Sequence, residues 1–315
     1  MDMAYRKIFI NALSYLIIGL IFVYLYKEFR SHWASIHTYD LKVDAFIAFL
    51  SFAAILTTYL LTTYGWFVAL NSLSPGNPIS FTDSVAIINT SNLTKYIPGK
   101  VWSFALQTYW LVKAGFKSSL IAFTFILNIF TLIMTFLILG LFYLALSPGT
   151  LPLKVVVSIF ILLVVLDILF MRYNSTLFNA LISVINKTLK RDIQYFHAPM
   201  RLLLYMQLVH FLSAFCYGMS AYLVCLGIGF NITGNSIYTL MSSMILSDVI
   251  GFLAIVVPGG LGVREGVMYL LLKGDAFGAL ALLLPIATRI VGMFIDIFLG
   301  VVGCLLLKHG AAPSR

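Results

Sequence analysis

Long apolar runs decide what this chain can become. Six of them, at residues 8–26, 44–70, 119–146, 151–170, 198–230 and 279–307, are long enough as helix to cross a bilayer. A hydrocarbon core of about 30 Å needs about 20 helical residues. Across 315 residues, 61% are hydrophobic and only 10% are charged, against about 25% charged in soluble domains. No water-soluble fold has the interior to hide so much apolar surface, so the solvent has to be lipid. The expected class is an all-α polytopic membrane protein, multi-pass in the cell (cytoplasmic) membrane, forming one transmembrane domain over 1–315.

The charges that remain are uneven: 20 basic against 11 acidic residues, a net +9. Many of the basic residues lie between or at the ends of apolar runs, among them Arg172, Lys187, Lys190, Arg191 and Arg201. Positive-inside topology accounts for that placement, and attraction to anionic headgroups agrees with it. Nucleic acid is not an expected partner. Cys216, Cys225 and Cys304 sit in apolar runs without a CxxC, and the histidines are scattered. Neither a metal nor a cofactor is expected. The first run is flanked by Arg6, Lys7 and Lys27 with no small-residue cleavage site after it, so it reads as a retained helix.

Two further apolar segments are interrupted. Residues 80–112 break at Pro98-Gly99, and residues 236–272 break at Pro258-Gly259-Gly260. Proline removes a backbone donor and clashes one turn back, and glycine beside it loosens the chain further. Laying Pro98 on Pro258, an offset of 160, also lays Lys113 on Lys273, Asn71 on Asn231, the run 44–70 on 204–230 and the run near 119 on the one near 279. Each half then reads span, broken segment, span: an internal repeat with one unit at about 44–146 and the other at about 204–307. The runs 8–26 and 151–170 are extra helices. Residues 171–199 form a cytoplasmic loop in which 176–189 reads as a short interfacial helix.

Each broken segment exceeds 30 residues, about 50 Å as continuous helix. A re-entrant hairpin uses that length better than a bent crossing. Hairpins make the repeat inverted, with both termini cytoplasmic, and bent crossings make it parallel. Charge does not choose between the two. Paired interrupted segments in two halves are what transporter folds place around a midplane site.

Candidate binding residues cluster at the breaks. Arg264 and Glu265 follow the second break, where a half-helix start offers backbone donors and partial positive charge. Arginine at such an end suits a phosphate. The alternative is that Arg264 and a nearby acid, Glu265 or Asp248, only neutralise each other. Lys95 and Lys100 flank the first break, behind a polar stretch in which Asp83, Thr90 and Thr94 share a face. Arg289 and Asp296 lie seven apart on one face of the last span and read first as an ion pair. Gln207 and His210 read as interhelical hydrogen-bond partners. No nucleophile with a base and no nucleotide-binding loop is found, so an enzyme is not expected and movement would be passive or ion-coupled.

The strings Tyr96-Ile97-Pro98-Gly99-Lys100-Val101-Trp102 and Pro258-Gly259-Gly260-Leu261-Gly262-Val263-Arg264-Glu265-Gly266 resemble the two signatures of the lysylphosphatidylglycerol synthase transmembrane region, the flippase-like family. The resemblance covers about residues 8–307. In two-part members of that family this region is regarded as a lipid flippase, and a soluble C-terminal domain transfers an amino acid from tRNA to phosphatidylglycerol. The resemblance implies a stand-alone member here, since the chain ends at Arg315 without that domain. Stand-alone relatives are linked to glycolipid, polyprenyl-lipid or hopanoid pathways. It also implies that Arg264 and Glu265 are the family's charged pair, with Pro98, Gly99 and Lys100 in the first signature. The function expected is a flippase or transporter for an anionic, phosphate-bearing lipid or glycolipid. An integral membrane transferase acting on a lipid-linked substrate, or a partner subunit for a separately encoded lipid-modifying enzyme, are the alternatives.

Overall fold

The computed structural model describes residues 42–96, 101–147, 152–189, 194–254, 257–274 and 277–308, with a few single positions between 23 and 30. The described residues form helices without strands. In chain order they are α1 (Ala45–Leu73), α2 (Phe81–Asn92) with a tight turn Leu93–Tyr96, α3 (Val101–Lys113), α4 (Ser118–Ala145), α5 (Leu153–Leu189), α6 (Met200–Gly227) and α7 (Ser236–Leu253). The turn Pro258–Gly260, α8 (Val263–Leu272) and α9 (Leu280–Lys308) complete the order.

Six of these, α1, α4, α5, α6, α7 and α9, are long and apolar enough to cross a membrane. They are not the six expected runs. Residues 8–26 lie outside the described residues, and α7, expected as the first half of a broken segment, qualifies by itself. The other half-helices, α2, α3 and α8, have 12, 13 and 10 residues, about 15–20 Å and too short to cross. As expected, α3 ends at Lys113 and α8 ends just before Lys273.

One expectation fails. Residues 171–189 are not a loop with a separate interfacial helix; α5 runs unbroken from Leu153 to Leu189, 37 residues. No proline or glycine interrupts 153–189, so the polar residues after 170 change the helix's surroundings without ending it. Residues 194–199 carry no regular secondary structure.

Local chemistry sets the ends. Asp44 caps α1 by accepting from the amides of Phe46 and Ile47 at 2.9 and 3.1 Å. Asn71 ties the α1–α2 connection by pairing with both backbone groups of Ile79, at 2.8 and 3.0 Å. Asp83 belongs to the capping of α2, accepting from the Ser80 hydroxyl at 2.7 Å. Hydroxyls inside the helices donate to carbonyls a turn back, as Thr131 does to Leu127 at 3.0 Å. That keeps them satisfied where no water reaches.

The helices lie against one another through small residues. The most extensive contact joins α1 to α6. It begins where the Asp44 amide donates to the Gly227 carbonyl at 2.9 Å. It continues through reciprocal bonds in which Thr58 and Ser213 each donate to the other's carbonyl at 3.2 Å. Further along, the Tyr64 and Tyr205 hydroxyls meet at 3.3 Å. Rising numbers on α1 meet falling numbers on α6, so the two run antiparallel. Beside them α4 packs on α7, and α9 packs on α2. Gly140 admits Leu246 and Ile245 to the first contact; Gly300 and Gly303 admit Leu93 and Thr90 to the second. In contrast, α5 turns most of its large apolar side chains outward, including Ile159, Leu162, Val165 and Leu169, as a helix facing lipid does.

Candidate functional site

The second break is built from glycine because nothing else fits. Gly259, Gly260 and Gly262 have φ of 58°, 66° and 79°, a region L-residues rarely enter. A Cβ on Gly260 would sit 2.8 Å from the Gly251 carbonyl oxygen, and backbone cannot yield as a side chain can. The turn thereby folds α8 back along α7, bringing Arg264 against Gly251.

That return places Arg264 opposite Asp248 of α7, with Nη1 2.8 Å from Oδ1. The second guanidinium nitrogen donates to the Tyr217 hydroxyl of α6. Tyr217 itself donates to Asp248 Oδ1 at 3.2 Å. The side chain of Arg264 is 15% exposed and that of Asp248 39%, so the carboxylate is the more accessible partner.

Arg289, from α9, holds the break in place. Its Nη2 donates to the Gly259 carbonyl at 3.2 Å, and its Nε lies 3.4 Å from Glu265 Oε1. The latter is an ion pair without a hydrogen bond, since Nε has no acceptor in hydrogen-bonding geometry. Glu265 accepts from the Gly262 amide through Oε2 at 2.7 Å. One of the backbone donors expected to be open to a ligand is therefore already used by the protein.

The first broken segment meets the same place. Tyr96, in its tight turn, lies against Gly259, and the Arg289 guanidinium sits 5.9 Å from the Tyr96 ring centroid, within reach of a cation–π contact. Lys95 Nζ is 2.7 Å from Asp296 Oδ1 of α9, and the Tyr96 hydroxyl donates to Oδ2 at 2.5 Å. Lys95 also donates to the Tyr59 hydroxyl of α1 at 3.4 Å. Pro98, Gly99 and Lys100 lie outside the described residues.

Six of the expected site residues, Lys95, Asp248, Arg264, Glu265, Arg289 and Asp296, therefore join one network across both broken segments. Their pairing differs from expectation. Arg289 and Asp296 do not pair with each other; each reaches to a different broken segment. Seven residues is two helical turns, about 10 Å along the axis, which is too far for a direct contact. Gln207 finds a partner in Asp167 of α5, but His210 does not: both ring nitrogens are buried without one, and the ring rests on Gly65.

With this arrangement in view, the whole-chain comparison is decisive: residues 11–300 match the family described as the lysylphosphatidylglycerol synthase TM region. The chain belongs to that family. No curated protein matches it. Membership of a lysylphosphatidylglycerol synthase-type membrane region accords with the apolar helices and places the charged network inside a multi-pass membrane protein. Reading the sequence alone passed over three tyrosines of the network in this family member: Tyr59, Tyr96 and Tyr217. Tyr96 opens the first signature string, and that position was the available signal. Tyr59 and Tyr217 look like any aromatic residue in a membrane helix.

Proposed function

We propose that this chain moves an anionic, phosphate-bearing lipid or glycolipid across the bilayer at the junction of its two broken segments. The observation that carries the reading is the gathering of Lys95, Arg264 and Arg289 within the helical bundle. Charged side chains inside a membrane are costly and mark substrate or ion pathways. Arg264 is the residue best suited to a phosphate, because a planar guanidinium holds two oxygens through parallel hydrogen bonds. Its partner Asp248 is partly exposed, so an anionic headgroup has a route to displace that carboxylate. The test is lipid movement by purified protein in liposomes containing labelled phosphatidylglycerol. Transport well above that of protein-free vesicles is expected. Rates equal to protein-free vesicles across anionic phospholipids and glycolipids would overturn the reading and leave a transferase or partner-subunit role.

The mechanism belongs to an inverted repeat with re-entrant hairpins. Three features support this. Under the 160-residue offset α1 corresponds to α6, and these two run antiparallel, as equivalents related by an in-plane two-fold axis must. The packing also exchanges: the last helix of each unit lies on the first half-helix of the other, α4 on α7 and α9 on α2. Finally, Gly140 and Gly300, 160 apart, both sit at those crossings. Both termini then face the cytoplasm. Single cysteines at positions 2 and 315 should be shielded from an impermeant thiol reagent applied outside intact cells. Labelling of both from outside would replace hairpins with bent crossings and a parallel repeat.

A further inference from the structure

A second polar group lies buried in the bundle, away from the charged network. Asp167 sits on α5, a helix otherwise turned mostly to lipid, yet only 5% of its surface is exposed. Gln207 of α6 donates to its Oδ2, while Oδ1 is buried with no hydrogen-bond partner. No cation pairs with it among the described residues. Three residues further along α6, on the neighbouring face position, His210 is fully buried with both ring nitrogens unpartnered. An intramembrane acid without a counter-charge among the described residues, its hydrogen-bond partner one helical turn from an unpartnered imidazole, is the residue pattern of proton-carrying sites.

Among the described residues, the surrounding helices supply nothing else to balance a charge there. Over 45–73 and 118–145, α1 and α4 carry no charged side chain, and their titratable groups are Tyr59, Tyr64 and Tyr143. On α6 itself the remaining ones are Arg201, Tyr205, Cys216, Tyr217, Tyr222 and Cys225. The other ionisable groups of α5 are Lys154, Arg172, Tyr173 and Lys187. Asp248 of α7 is committed to Arg264, and Arg289 and Asp296 of α9 to the partners described above. Tyr238 of α7 stacks on Tyr143, and α9 adds Cys304 and Lys308. With no cation beside it among the described residues, Asp167 can be balanced by a proton.

The same helix links this group to the lipid site. Gln207, His210, Ser213 and Tyr217 follow one another along α6 at intervals of three, three and four residues. Ser213 joins α6 to Thr58 of α1, and Tyr217 binds both Arg264 and Asp248. Ten residues separate Gln207 from Tyr217, about 15 Å along a rigid helix. A change at Asp167 that alters how α6 seats on α5 is therefore carried to the residue holding Arg264.

We propose that Asp167, with Gln207 bound to it and His210 one turn along α6, is a proton-binding site through which a proton gradient drives lipid movement. The chemistry is a reversible protonation. One proton from one side of the membrane forms an O–H bond on the carboxylate and discharges it. The bond breaks and the proton leaves to the other side as the lipid crosses. The proposal rests on the lipid-transport reading above.

The test uses the full chain in phosphatidylcholine vesicles containing acyl-labelled phosphatidylglycerol and a trapped pH dye. At one proton per lipid, each unit of imposed pH difference should shift the steady-state ratio of labelled lipid between leaflets about tenfold. A lipid gradient should in turn change the internal pH. Asp167→Asn keeps a partner for Gln207 and should move lipid downhill with no response to the pH gradient. Wild-type transport that ignores the gradient and leaves internal pH unchanged overturns the proposal, whether or not the variant folds. So does an Asp167→Asn protein that still responds. No lipid movement by the wild type overturns both this proposal and the transport reading; movement without coupling overturns this proposal alone.

Discussion

Arg264→Ala protein is expected to fold and to transport lipid about 10- to 100-fold more slowly per folded molecule, the loss of a charged hydrogen bond worth about 1.5–3 kcal/mol. Stability should respond in the opposite order to activity. The guanidinium is the more buried member of its pair, so Asp248→Ala strands a charge that cannot turn to water. That change should cost about 1–3 kcal/mol, the penalty for leaving a buried charged group without its partner. Arg264→Ala should cost less, because Asp248 is partly exposed already. The double variant should regain most of the stability lost in Asp248→Ala and none of the transport. Arg264→Lys keeps the charge but cannot form two parallel bonds to a phosphate, and should fall between wild type and alanine. Detergent-stable, correctly folded protein assayed in liposomes separates the effects. Wild-type specific transport by well-folded Arg264→Ala would reduce the residue to pinning the loop.

The second large effect concerns Lys95. Its partner Asp296 is only 4% exposed, so Lys95→Ala leaves a buried carboxylate held only by the Tyr96 and Tyr59 hydroxyls. A loss of about 3 kcal/mol is expected, the low end for a broken buried pair because those hydroxyl hydrogen bonds survive. Asp296→Ala should be milder, since Lys95 is about one-third exposed and can extend to water. Removing both should give a clear coupling energy in a double-mutant cycle. Independent, additive losses measured by thermal unfolding would mean that the first broken segment is not held to α9 through this pair.

Membership of the site was legible in the sequence because charges are rare in apolar runs and each one needs a reason. That logic found the six charged residues of the network, four from their positions near the two breaks and Arg289 and Asp296 from their spacing in the last span. It did not find the pairing. Spacing on one helix suggested Arg289 with Asp296, yet only the folding of α8 and the first tight turn against α9 decides which acid each cation meets. Asp167 was passed over for a related reason: it stands alone in a span, with its partner Gln207 forty positions away. The unbroken course of α5 was missed because polarity after residue 170 was read as the end of a helix, when it marks only a change of surroundings.

The network has an electrical consequence. Among the described residues it contains three cations, Lys95, Arg264 and Arg289, and three carboxylates, Asp248, Glu265 and Asp296. A unit charge carried across the membrane field does work of about 2.3 kcal/mol per 100 mV, but a group whose charges cancel does almost none when it shifts as a unit. Turnover of this protein would then feel voltage only through what it carries. Current recorded per lipid moved would read out the charge of the cargo, with any accompanying proton included, before the lipid itself is known.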